Sequence, residues 1–107
     1  MTKNIFGITD LDLELIIKTL KSYSKIKKAI IFGSRAIGNY KNGSDIDIAI
    51  SGNNIQDILT TVWGDLESNI PVPYKFDLIN LDTTESKELS KHIEEYGIEL
   101  DIRGLET

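Results

Sequence analysis

The reading of this chain turns on Ile31-Phe32-Gly33-Ser34-Arg35-Ala36-Ile37-Gly38 and, a few residues on, Gly43-Ser44-Asp45-Ile46-Asp47-Ile48. An apolar run stops at a Gly-Ser turn, a polar loop follows, and two aspartates one residue apart open a second apolar run. Strand side chains alternate between faces, so Asp45 and Asp47 share one face while Ile46 and Ile48 turn to the core. Neighbouring carboxylates repel unless a cation lies between them. Hard divalent cations such as Mg²⁺ take oxygen ligands of this kind, together with substrate phosphates. The Gly-Ser turn offers backbone N–H groups to those phosphates. The stretch therefore describes a metal-dependent site for a nucleoside triphosphate.

Working outward, Leu13, Ile16, Ile17, Leu20 and Tyr23 follow the spacing of an amphipathic helix. Thr9 or Asp10 caps it, Asp12 lies in its first turn, and it ends near Ser22 to Ser24. Lys28 to Phe32 reads as a buried strand, residues 34 to 38 as a short helical turn, Gly38 to Ser44 as a loop and Asp45 to Ile50 as a second strand. Ser51-Gly52-Asn53-Asn54 is a turn before a helix striped by Ile55, Ile58, Leu59, Val62, Trp63 and Leu66, which places Trp63 in the core. Pro71 and Pro73 forbid further helix. Tyr74 to Leu81 is a third strand. A last helix starts at Thr83 or Thr84, turns Leu89, Ile93 and Tyr96 inward and stops at Gly97. Ile98, Leu100 and Ile102 suggest an edge strand or extended tail. The fold class is α/β (α+β), with helices packed against one small mixed sheet.

In the third strand Asp77 faces away from Phe76 and Leu78. If that strand lies beside the Asp45/Asp47 strand, Asp77 joins the pair. Three carboxylates can then hold two Mg²⁺ ions, one clamping a triphosphate and one activating an attacking hydroxyl. Asp77 is also a candidate general base for that hydroxyl.

The chain has 107 residues, 40% hydrophobic and 27% charged, which points to a single domain spanning 1–107. Such a domain has room for one core and little for a second module, so acceptor-binding surface is expected from a partner. Its net charge of −5 argues against direct nucleic-acid binding. Without cysteine there is neither a disulfide framework nor a thiolate metal site. No stretch is apolar enough to span a membrane and the N-terminus is no signal peptide, so the cytoplasm is the expected location. Lys18, Lys21, Lys25, Lys27 and Lys28 form either a solvated helix face and end or a docking patch for an acidic partner or phosphate tail. His92, the single histidine, makes neither a zinc site nor a triad by itself and reads as structural. Tyr74 and Tyr96 read as packing residues.

The central segment resembles the nucleotidyltransferase superfamily built like DNA polymerase β, and is most similar to the minimal nucleotidyltransferases, the MNT proteins. The family pattern of an apolar residue, Gly, Gly or Ser, about ten residues, Asp, an apolar residue and an acid is filled here by Phe32, Gly33, Ser34, Asp45, Ile46 and Asp47, with Asp77 as the later third acid. The resemblance implies that Gly33 and Ser34 hold the β- and γ-phosphates and that Asp45, Asp47 and Asp77 hold metal. Arg35 either reaches the triphosphate or pairs with a surface acid. Ser44 either orients a metal ligand or caps the turn. Many MNT chains carry a second arginine where this one has Ile37, a lost charge for which Lys41 is a candidate replacement.

The activity so implied is Mg²⁺-dependent transfer of AMP from ATP to a hydroxyl, releasing pyrophosphate. The implied partner is a HEPN-domain RNase toxin carrying the acceptor tyrosine, in a homo- or hetero-oligomer. The alternative is an MNT subunit that neutralises its partner by binding alone. Transfer to a small molecule such as an aminoglycoside calls for an acceptor domain that is missing here, and a polymerase role for a template-binding domain.

Overall fold

Thr9 opens the first helix by accepting the Asp12 N–H on its hydroxyl at 3.2 Å, so that α1 runs Asp10–Lys21. Asp10 and Asp12 at its start and Lys18 and Lys21 at its end complement the helix dipole. The computed structural model describes residues 4–41, 43–71 and 74–103. The elements that follow are β1 (Ile26–Phe32), α2 (Ser34–Ile37), β2 (Ile46–Gly52), α3 (Ile55–Asn69), β3 (Phe76–Asn80), α4 (Lys87–Tyr96) and β4 (Ile98–Leu100).

The sheet is mixed, with strand order β3-β2-β1-β4. β1 pairs antiparallel with both β2 and β4, while β2 and β3 run parallel, joined through α3. One face carries Ala29, Ile31, Ile46, Ile48, Ile50 and Phe76, packed with Ile16 and Leu20 of α1 and Ile55, Val62 and Leu66 of α3 into the main core. The other face carries Ile30, Phe32, Ala49 and Ile79, packed with Ile93 and Leu89 of α4 and with Leu81. Among the described residues no helix is long and apolar enough to cross a membrane.

Several boundaries differ from the sequence expectation for identifiable reasons. β1 begins two residues early, at a bulge opposite Gly52. β2 starts at Ile46, leaving Asp45 just outside it, and continues through Ser51 and Gly52. Asp82 holds that end, accepting from the Ser51 hydroxyl at 2.6 Å and the Gly52 N–H at 3.0 Å, bonds that keep its carboxyl below the usual carboxylate range. β3 is shorter than Tyr74 to Leu81 because its pairing with β2 begins at Phe76. Pro73 lies outside the described residues. α4 starts after Ser86, whose hydroxyl accepts the Leu89 N–H, and not at Thr83 or Thr84. Thr83 is held in the preceding turn, its N–H donating to Asn80 O at 3.3 Å.

Trp63 is not a core residue: it is 44% exposed. Each helical residue turns by about 100°, so with Val62 and Leu66 facing inward Trp63 lies on the helix flank. There its indole N–H reaches Phe76 O on the edge strand at 3.0 Å. Tyr96, expected on the inner face of α4, is 52% exposed because it stands at the helix end, against His92. Tyr74 does pack, partly buried against the core.

Gly97 ends α4 for a spatial reason, since its φ of −63° suits any residue. A Cβ there would overlap Ile93 O and lie 2.6 Å from Ile30 Cγ2. Gly97→Ala is expected to destabilise the fold by about 1–3 kcal/mol through overpacking, read as a lower urea midpoint with an unchanged slope.

Candidate functional site

The site lies where β1 ends and β2 and β3 begin. Opposed residues on neighbouring strands share a face, and the register sets Phe32 opposite Asp47 and Asp47 opposite Asp77. The two carboxylates therefore stand abreast on the face that α4 partly covers. The next row back, Ile30, Ala49 and Ile79, is apolar and takes Ile93 of the helix. Asp45 precedes β2 and is exposed, as is Asp77, whereas Asp47 is half-buried.

Asp47 carries the electrostatic cost of this arrangement. Its pKa is pushed up to about 6, first by burial and then by the charges of Asp77 and Asp45, while His92 and Arg35 oppose the rise. Among the described residues no three acidic or histidine side chains gather closely enough to hold an ion by themselves. A cation at this carboxylate row would draw its remaining ligands from outside the chain, as Mg²⁺ does with water and phosphate oxygens.

Gly33 closes the site beside Asp47. Its φ is +75° with ψ −155°, a conformation favouring glycine, and a Cβ at this position would overlap Asp47 Oδ2. Its carbonyl accepts from the Ala36 and Ile37 N–H groups at 3.1 and 3.3 Å. Its own N–H donates to His92 Nε2 at 2.9 Å. Ser34 follows as the half-buried first residue of α2, and neither its amide nor its hydroxyl has a partner among the described residues. Those two donors are free for an anion.

Arg35 is placed otherwise than at a phosphate or a surface acid. It is 3% exposed and donates to Phe6 O at 2.8 Å, Gly7 O at 3.4 Å and, through two nitrogens, Ser44 O at 2.9 and 3.2 Å. Its guanidinium also lies 5.3 and 5.4 Å from the ring centres of Tyr40 and Tyr74, a cation–π clamp. It ties Phe6 and Gly7 and the loop before Asp45 to the Gly33–Ser34 turn. Ser44 belongs to the same brace: its hydroxyl accepts the Lys41 N–H at 2.8 Å, closing the turn. Ile37 is 45% exposed and Lys41 is exposed. The lysines of the basic cluster are exposed; Lys27 and Lys28 open β1 while Gly33 follows its end, about 17–20 Å away by strand rise.

His92 is the residue that sequence reasoning did not connect with the site. It is half-buried on α4, edge-on to Phe32 with ring centres 6.2 Å apart and tilted against Tyr96 at 5.5 Å. The available signal was its position beside Ile93, whose apolar spacing docks α4 on the sheet.

Comparison with known proteins agrees with this geometry. The family model described as polymerase beta, nucleotidyltransferase matches residues 14–103. The chain belongs to that family. A solved mutant form of the MntA–HepT toxin–antitoxin is 28% identical, with a TM-score of 0.64 over 82% of this chain and 70% of the other. Another MntA–HepT structure is 26% identical, with a TM-score of 0.59 over 83% and 68%. A toxin–antitoxin crystal structure with AMP-PNP is 27% identical, with a TM-score of 0.56 over 80% and 69%. None of the curated proteins compared matches the chain.

The raised Asp47 pKa has a defined consequence for the metal-free protein. Between the ordinary value of 3.8 and about 6 the folded state binds more protons than the unfolded one, so stability falls as pH rises through that window. A shift of this size corresponds to at most about 3 kcal/mol, and solvent screening of a half-open carboxylate reduces it to about 1 kcal/mol. Asp47→Asn is expected to stabilise the metal-free protein by that amount at neutral pH and to flatten its stability between about pH 4 and 6, measured by urea unfolding with chelator present.

Proposed function

We propose that this protein transfers AMP from ATP to a hydroxyl, releasing pyrophosphate, and that the acceptor is a tyrosine of a HEPN-type RNase toxin which it thereby neutralises. The observation that carries the proposal is the Asp47–Asp77 row standing beside the Gly33–Ser34 turn, one element rich in negative charge and the other holding unpartnered donors. The likeness to toxin–antitoxin structures, one of them with AMP-PNP, supports both the nucleotide and the kind of partner.

In this reading Asp45, Asp47 and Asp77 would hold two Mg²⁺ ions, which would supply charge neutralisation at the reacting phosphate. The amide and hydroxyl of Ser34 bind the β- and γ-phosphates, and Gly33 lets them approach. Asp77, exposed at the start of the edge strand, takes the proton of the acceptor hydroxyl as its oxygen bonds to the α-phosphorus and the bond to the bridging oxygen breaks. Arg35 and Ser44 shape the loop that presents Asp45 and do not touch the nucleotide. The acceptor comes from the partner chain.

A second reading, neutralisation by binding alone, is favoured by one observation. Arg35 is committed to carbonyls and Ile37 stands where a second arginine is common in this family, so neither supplies the phosphate turn with a positive side chain. The two readings separate in one experiment. The chain is co-purified with its partner, Mg²⁺ and ATP are added, and intact masses are recorded. Added AMP on the partner, absent with Asp47→Asn while the complex persists, is the expected result. Neutralisation that survives Asp47→Asn with no change in partner mass establishes binding alone. Gly33→Ala is expected to abolish transfer as well, because its Cβ displaces the Asp47 carboxylate.

A further inference from the structure

The Gly33 amide is half-buried beside a carboxylate and needs an acceptor, since an unmet donor in such a place is costly. The acceptor is His92 Nε2 at 2.9 Å. Accepting at Nε2 puts the ring proton of the neutral imidazole on Nδ1. The ring is itself held, edge-on to Phe32 and against Tyr96, on a helix anchored by Ile93 in the row of Ile30 and Ala49. Gly33 is thus pinned on both sides, its N–H by α4 and its carbonyl by the first turn of α2. A glycine lacking those bonds samples a wide range of φ, and the orientation of Ser34 would drift with it.

We infer that His92 is a positioning residue of the nucleotide site: by accepting the Gly33 N–H it holds the phosphate turn in the conformation that leaves the Ser34 amide and hydroxyl free for the triphosphate. The inference rests on the nucleotidyltransferase reading, and it adds α4 to the machinery of the site. The triphosphate is received by Ser34, while Gly33 stays bonded to the imidazole.

Two substitutions separate hydrogen bonding from packing. His92→Phe keeps a ring against Phe32 and Tyr96 and removes the acceptor. His92→Gln gives up the ring and restores an acceptor oxygen at similar reach. Binding of AMP-PNP with Mg²⁺ is measured by calorimetry, and exchange of the Gly33 amide proton by NMR. In His92→Phe the Gly33 amide is expected to exchange at least about tenfold faster and AMP-PNP to bind about tenfold more weakly, the loss of one well-placed phosphate donor. In His92→Gln both are expected to return towards wild type. Equal or tighter binding in His92→Phe overturns the inference, as does a folded His92→Gln that behaves like His92→Phe. A wild-type protein that binds no AMP-PNP overturns the nucleotidyltransferase reading and this inference with it. Wild-type binding that His92→Phe leaves unchanged overturns this inference alone.

Discussion

The backbone at Gly33 runs so close to the Asp47 carboxylate that no side chain fits between them. This contact requires the antiparallel pairing that sets Phe32 opposite Asp47, and it requires the chain to leave β1 with a positive φ. The short helix then begins at Ser34, so the donors of the turn and the carboxylates of the strands meet in one place. A register slip of one residue would send Asp47 into the main core and Ile48 to solvent. The unbroken pairing of Lys28 to Phe32 with Ser51 to Asp47, with Ile31, Ile48 and Ile50 fully buried, guards against that slip.

Charge is managed by separating its roles. Burial first, and then the neighbouring charges of Asp77 and Asp45, raise the pKa of Asp47. Arg35, whose charge opposes that rise, is turned inward and satisfied by carbonyls and two tyrosine rings. A guanidinium suits this position because its planar fork serves several acceptors at once. Its charge still reaches Asp47, but its hydrogen bonds serve the loop between the turn and Asp45.

The two faces of the sheet divide the work. One is covered by α1 and α3 and supplies most of the buried apolar surface. The other is covered by α4 only over its apolar row, which leaves the carboxylate row accessible to a ligand. The residue at the border between covered and open surface is His92. A single amphipathic helix can therefore act as both core cover and site wall.

Local pattern determined a good deal here. The order of the first seven elements, the Gly-Ser turn at a strand end and the Asp-x-Asp where β2 begins are readable because periodicity and turn chemistry act over a few residues. The sequence also made Asp77 a conditional third acid, and the condition, that β3 lies beside β2, was met by the parallel pairing. What tertiary structure alone decided were the matters of long range. Arg35 looks available for a phosphate until Phe6, Gly7 and Tyr74, drawn from distant segments, enclose it together with the nearby Tyr40. Trp63 looks buried until the rotation of α3 against β3 fixes which flank it occupies. His92 is 59 residues from Gly33 in the chain, and no spacing rule links them. Their hydrogen bond exists because apolar packing sets α4 across the sheet, and packing between distant segments is not encoded in any local stretch.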